Sequence, residues 1–310
     1  MKTVSVVGAT GRQGLAQIKC LLESGYEVRA LSRSDKPLAE PYTNTVQVQQ
    51  MDLMDESSLQ PALAGSDYVF YNQPLHMNEH RVELIEMMGR ACKAAKVERL
   101  VWNTSSWIPN RPGDPATYIL NTMGINRLWA TGMSATVFGS VLFMDNLLTD
   151  WARPSLMNDH RYIYPHAPHV EANWISLDDV GKIMVASLDR PDMAGTWMNI
   201  GGPERLTGAQ VAATLAEVLG FEIEYAPYTP EEFAAALTSA LSDSVPDQAK
   251  KEFEDYISTF YHYNNTAPTK PFAVNAQYLQ ECLPEVQLET LKDWAARQDW
   301  SDSANRPSGG

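Results

Sequence analysis

The first residues of this chain whose spacing suggests chemistry are Gly8, Gly11 and Gly14, in the run Gly8-Ala9-Thr10-Gly11-Arg12-Gln13-Gly14. Glycines at this interval, between a strand and a helix, do three physical jobs. One permits a tight turn with unusual φ/ψ. One lets backbone N–H groups approach a pyrophosphate with no Cβ in the way. One lets the helix pack closely on the sheet. The helix then turns its free N–H groups and positive end toward the phosphates. The β-branched run 3–7 before the turn, and Leu15, Ile18, Leu21 and Leu22 at helical spacing after it, supply the strand–turn–helix context that a lone glycine triplet lacks. The expectation is a bound dinucleotide.

The end of the second strand selects which dinucleotide. An acidic residue there would accept from the ribose 2′-hydroxyl of NAD. This chain has Leu31-Ser32-Arg33-Ser34 instead. Arg33 can pair with a 2′-phosphate, Ser32 or Ser34 can donate to it, and Arg12 could close over the same group. The expected cofactor is NADP(H). Other chemistry-bearing residues say less. His166 and His169 could share a metal, but a third ligand is not apparent and Pro168 argues against a helix, so no metal is expected and a pocket-lining role fits better. Trp107, Tyr162, Tyr164 and Trp174 could line an aromatic pocket, or simply be core. Cys20, Cys92 and Cys282 form no CxxC and read as free buried thiols of a reducing compartment.

These residues need a scaffold. Short apolar strands are expected at 3–7, 27–33, 46–52, 67–72, 98–105 and 134–143, with helices between several of them, most clearly at 12–24 and 78–95. Alternation of this kind means βαβ units and a parallel sheet. Past about residue 150 the texture changes. Residues 153–169 read as loop. Helices are expected at 177–189, 207–219, from Thr229, at 247–260 with a stripe of Phe253, Tyr256, Ile257 and Phe260, and at 286–297. Thr229, Pro230 and Glu232 form a capping box.

The chain has 310 residues, 44% hydrophobic and 20% charged, with a formal net charge of −14. That is enough material for one large domain with an appended lobe. The negative charge disfavours nucleic acid and anionic membrane as direct partners. The N-terminus reads as a strand, not a signal peptide, and no stretch is long enough to cross a bilayer. The expected location is cytoplasmic.

Taken together, GATGRQG, LSRS, Met51-Asp52-Leu53 and the later strands resemble the NmrA-like family, atypical short-chain dehydrogenase/reductase proteins, over nearly the whole chain. Three segments are more specific than the glycines. Phe143-Met144-Asp145-Asn146-Leu147 resembles the family's F-x-E-N segment. Trp174 through Gly181 resembles its strand and Asp-hydrophobic-Gly helix start. Asn199-Ile200-Gly201-Gly202-Pro203, with Leu206-Thr207 and Val211-Ala212 following, also fits. The resemblance implies an α/β fold, a Rossmann-like doubly wound parallel sheet with a smaller, mainly helical C-terminal substrate lobe. It would divide the chain into a Rossmann domain at 1–150, with 170–205 contributing back to it, a substrate lobe at 151–300 and a flexible tail at 301–310. A small-molecule substrate would lie in the cleft between the lobes, and a homodimer or protein partner is open. By the same resemblance Gly8, Thr10, Gly11, Arg12, Gln13 and Gly14 would hold the pyrophosphate and Arg33 the 2′-phosphate. Asp52 and Leu53 would lie by the adenine, Asn72, Gln73 and Pro74 beneath the ribose, and Thr104 and Ser105 near the nicotinamide. Asp52 could also cap a helix over 55–64.

Classical relatives use a Tyr-xxx-Lys pair for proton transfer. Counted back from Asn146, the lysine position falls on Asn121 and its tyrosine position on Thr117, so Tyr118 is one place out of register. Between Ser105 and Asn146, Arg111 and Arg127 are the only cations. Without a nearby cation Tyr118 should keep a pKa near about 10, a poor match at neutral pH. The candidates for catalysis are Tyr118, Ser105 and Asn121, with Ser106 and the histidines as other donors. Asn121 could bind a ribose hydroxyl, or be a surface helix residue. Three functions follow: an NADPH-dependent reductase of a small apolar or aromatic carbonyl, quinone or enone; a non-catalytic NADP(H)-sensing regulator; and, more weakly, a dehydratase or isomerase on the same fold.

Overall fold

The computed structural model describes residues 1–109, 116–240 and 249–301. The side chains of residues 75, 76, 78, 116 and 117 fall outside the described set, as does the expected flexible tail beyond Ser301.

Six strands and four helices alternate through the first half: β1 (Thr3–Val7), α1 (Arg12–Glu23), β2 (Glu27–Ser32), β3 (Gln47–Gln50), α2 (Glu56–Leu63), β4 (Tyr68–Asn72), α3 (Arg81–Ala94), β5 (Arg99–Asn103), α4 (Ala116–Ala130) and β6 (Ala135–Ser140). The strand Thr196–Ile200 pairs with β6 and completes a seven-stranded parallel sheet. Read from β3, the order is β3-β2-β1-β4-β5-β6 and then Thr196–Ile200. The direction of winding reverses at β1, whose neighbours are β2 and β4. In such sheets ligands bind in the crevice beyond the carboxyl ends at the reversal. The central strands are apolar on both faces because both are covered. One face packs on α1 and the helix Leu177–Ala186, with Ile18, Leu21, Val180 and Ile183 buried. The other packs on α2, α3 and α4, with Leu59, Ile85, Met88 and Leu128 buried.

The expected strands and α1 fall within a few residues of their elements. The differences have physical causes. The chain leaves β6 after Ser140, and Leu142–Phe143 pairs instead with Trp174–Ile175. The expected loop 153–169 contains a short helix, Arg153–Met157, and a strand, Arg161–Tyr162, that pairs with Glu224–Tyr225. Asp52 does not cap α2. Its carboxylate turns back to accept from Met54 N at 3.0 Å, and Asp55 caps the helix by accepting from Ser57 N at 3.0 Å. The box at Thr229 forms as expected, with Thr229 N and Glu232 N each bonded to the other residue's side chain.

The second half builds a mainly helical lobe. Helices Gly208–Leu219, Pro230–Ala240 and Lys250–Thr266 surround an aromatic core of Tyr162, Tyr164, Trp174, Phe233, Tyr261 and Phe272. The expected stripe on the long helix is shifted. Tyr256 is 39% exposed, and the buried positions are Tyr261 and Asn264. The C-terminal helix spans only Leu291–Ala296, capped by Thr290.

Candidate functional site

Gly8 follows β1 with φ +71°, a backbone setting that side chains rarely adopt. A Cβ on Gly14 would overlap the Gly8 carbonyl and lie 2.6 Å from Ala9 Cα, so helix and turn can approach this closely only with glycine there. Gly11 stands at the N-cap of α1 and no side chain caps that end. The turn therefore presents a glycine-lined helix terminus at the sheet's reversal point.

The side chains around it divide by direction. Arg12 is half-buried. Its Nη1 donates to Asp145 O at 2.8 Å and its Nη2 to Asn146 Oδ1 at 3.3 Å. Those partners follow β6, on the other side of β1 from β2, so the Arg12 guanidinium points away from the end of β2, where the 2′-phosphate is expected. A buried guanidinium must find acceptors, and the Asp145–Asn146 segment supplies them. Arg12 Nε is buried without a partner among the described residues. Burial also holds Asp145 above the usual carboxylate range, against Leu177 N and Arg12. Gln13 reaches toward β5. Its Nε2 lies 3.0 Å from Ser105 Oγ and its Oε1 accepts from Asn103 Nδ2 at 2.8 Å.

At the end of β4, Asn72 is locked inward. Its Nδ2 donates to Val7 O and to Gln17 Oε1, and Gln17 Nε2 donates back to Asn72 Oδ1 at 2.9 Å. What Asn72 offers the turn is its backbone, since its carbonyl lies against Gly8. Gln73 donates to Met77 O at 2.6 Å and Pro74 O accepts from Met77 N, which shapes the loop after β4. Leu53 is buried in the core. Thr10, Arg33, Ser34 and Asp52 are exposed, and Ser32 is half-buried. Ser32 Oγ accepts from Ser34 N at 3.3 Å, folding the Ser32–Ser34 turn at the end of β2.

The end of β5 carries the densest polar arrangement. Thr104 Oγ1 donates to Ser106 O at 2.7 Å. Ser105 has φ +56°, strain that a non-glycine residue holds only when its surroundings impose it. Asn121 is fully buried, not a surface residue. Its Nδ2 donates to Ser106 Oγ at 2.9 Å and to Trp107 O at 2.8 Å, and its Oδ1 accepts from Arg81. Arg81 also donates to Thr104 O at 3.1 Å. A cation thus stands where none was expected, because it arrives from α3, ahead of the stretch between Ser105 and Asn146. Of the two arginines in that stretch, Arg111 lies outside the described residues and Arg127 is exposed, near Glu86.

Tyr118 is enclosed by packed side chains. It is 1% exposed, packed edge-on against Trp107, and its hydroxyl donates to Asn264 Oδ1 at 2.8 Å. Burial drives its pKa well above the ordinary phenol value. The histidines also part company. His166 is buried among Tyr164, Trp174, Tyr261 and Phe272, and burial lowers its pKa to about 3. His169 is exposed, with Nε2 3.1 Å from Asn265 O. No group of metal-ligating side chains occurs among the described residues. Tyr162, Tyr164 and Trp174 stack or meet edge-on as lobe core.

Sheet order, covered faces and the glycine turn at the reversal point define a Rossmann-type α/β protein with an appended helical lobe. The chain belongs to the NmrA-like family, whose model matches residues 1–295. It is 28% identical over 262 residues to the NAD(P)H azoreductase of Xenophilus azovorans, covering 82% of this chain and 89% of that one. The fold is shared with the triphenylmethane reductase of Citrobacter sp. complexed with NADP(H), at TM-score 0.75 and 17% identity over 95% of this chain and 99% of that one. It is also shared with NmrA, a negative transcriptional regulator, in complex with NADP, at TM-score 0.74 and 18% identity over 96% and 98% of the two chains. Among the described residues no helix is long and apolar enough to cross a membrane.

Proposed function

We propose that this chain is an NADPH-dependent reductase acting on a conjugated, largely apolar acceptor such as a quinone or enone. The observation that carries the reading is the Gly8–Gly14 turn, where a Cβ on Gly14 would collide with backbone and the helix end is left uncapped. The unpartnered Arg12 Nε, on the first residue of that helix, supports the fit of an anionic group.

In this reading Gly8, Thr10, Gly11, Gln13 and Gly14 hold the pyrophosphate, with Arg12 contributing through Nε. Ser32 and Arg33 take the 2′-phosphate. Asp52 and Leu53 border the adenine, and the backbone of Asn72, Gln73 and Pro74 forms the floor beneath the ribose. Thr104 and Ser105 approach the nicotinamide. NADPH, when bound, supplies a hydride. The chain's part is to orient that donor and keep water from it. A conjugated acceptor suits a site whose Tyr118 hydroxyl is sealed away, because delocalisation spreads the new negative charge and less proton assistance is needed. That the relatives include an azoreductase and a triphenylmethane reductase supports the same acceptor class.

The test is NADPH oxidation, followed at the nicotinamide absorbance, with purified protein and a panel of quinones, enones and aldehydes. Turnover faster with quinones and enones than with simple aldehydes is expected. Tight binding of NADP⁺ and NADPH without turnover on any acceptor would replace this reading by a second one, an NADP(H)-sensing regulator. The sealed Tyr118 hydroxyl is the observation that favours that alternative.

A further inference from the structure

Arg81 opens α3 and is 8% exposed. Its guanidinium donates to Asn121 Oδ1 and to Thr104 O. Because Asn121 Oδ1 must face that donor, Asn121 Nδ2 must face the other way, and there it donates to Ser106 Oγ at 2.9 Å. A hydroxyl that accepts from an amide can use its own proton only as a donor. Among the described residues the acceptor available to Ser106 Oγ is Thr104 O, at a long 3.4 Å and already used by Arg81. Ser106 is half-buried, in the loop that follows β5. It stands beyond the carboxyl end of β5, beside the strained Ser105. Cation, amide and hydroxyl are aligned so that each polarises the next.

We propose that Arg81, Asn121 and Ser106 form an anion-binding relay, in which the Ser106 hydroxyl donates to the oxygen that becomes negative as a conjugated carbonyl or quinone is reduced. Ser106 is the catalytic residue. Arg81 and Asn121 are positioning residues that orient and polarise it. The inference rests on the reductase reading. The acceptor carbon gains hydride with its electron pair from NADPH, which is oxidised to NADP⁺. The π pair of the acceptor moves to oxygen, the resulting oxyanion is held by Ser106, and a proton from water completes the product. The relay is an oxyanion site built from one side-chain donor, with the charge two bonds behind it.

A probe other than turnover tests it. The 4-nitrophenolate ion resembles the anion of a reduced quinone and reports its own ionisation by absorbance. Titrated with the protein saturated in NADP⁺, bound 4-nitrophenol should ionise about one pH unit lower than in water, about a tenfold preference for the phenolate. Ser106→Ala and Arg81→Met should abolish the shift, and Arg81→Lys should restore part of it, which a purely structural arginine would not predict. Ser106 lies in a half-buried loop, so Ser106→Ala carries the test even if Arg81→Met fails to fold. With a working acceptor, Ser106→Ala should lower kcat while the KM for NADPH holds. Failure of the probe to bind, an unshifted ionisation, or a shift that survives Ser106→Ala overturns the relay. A shift that persists while NADPH is never oxidised overturns the reductase reading and leaves the anion site standing.

Discussion

The hydroxyl of Tyr118 donates to Asn264 Oδ1 at 2.8 Å, and this bond ties α4 to the long helix Lys250–Thr266 of the C-terminal lobe. Trp107, Phe260 and Tyr263 close around the ring. The tyrosine nearest in sequence to the family's proton donor is therefore a link between lobes. Tyr118→Phe should leave turnover and its pH profile little changed. It should cost about 1–3 kcal/mol of stability, because a buried acceptor loses its donor. Thermal unfolding and steady-state rates check both halves, and a loss of turnover of about a hundredfold would return Tyr118 to proton transfer.

Gly14→Ala probes the turn. The added methyl meets backbone at Gly8 and Ala9, which cannot rotate aside as a side chain could. The cost should be about 1–3 kcal/mol in stability. Dinucleotide affinity should fall at least as sharply, because α1 must back away from the sheet and carry its N–H groups with it. Fluorescence titration with NADPH, alongside a melting curve, separates the two effects. Unchanged NADPH affinity would remove the turn from the binding site.

The parts of the fold that were legible are those where sequence and packing share a period. Strands of a doubly covered parallel sheet are short apolar runs, and the glycine turn and the Thr229 box are local signals. α4 is different. Asn121, Thr122 and Gly124, close together, weaken its helical pattern, and at Gly124 a Cβ would lie 2.8 Å from Trp102 Cη2. Arg81 escaped for a related reason. Its closeness to Asn121 is made by α3 packing on α4, forty residues apart in the chain. A search for a cation near Asn121 in sequence cannot see it. Asp52 misled because two aspartates three apart compete for one cap, and Asp55 stands nearer the first turn of α2.

Arg33→Ala tests cofactor choice. Arg33 is exposed at the end of β2, beside the Ser32–Ser34 turn. A charge-assisted contact to a 2′-phosphate is worth about 1.5–3 kcal/mol. The variant should therefore bind NADPH about 10–100-fold more weakly while NADH binding is nearly unchanged. Calorimetric titration of both cofactors decides it, and equal losses would sink the preference for the phosphorylated form.

His166 makes stability depend on pH in a direction opposite to that of a salt-bridged histidine. Its ring is sealed among aromatic residues, Nε2 has no partner among the described residues, and burial lowers its pKa to about 3. Unfolded, the same group protonates near pH 6.5. Between those values the unfolded chain holds a proton that the folded chain refuses, so stability falls as the pH drops below 6.5 and goes on falling until about pH 3. At pH 5 the penalty from this residue alone amounts to about 2 kcal/mol. Carboxylates such as half-buried Asp145 and buried Asp179, raised above their usual range by desolvation, act in the opposite sense, favouring the folded state as they protonate. The difference between two proteins isolates the histidine. His166→Phe, which keeps a ring in the cluster, should flatten the decline of unfolding free energy between pH 6.5 and 4 relative to the parent chain. Chemical denaturation at stepped pH measures it, and parallel curves for the two proteins would show that His166 is protonated, or exposed, in the folded state.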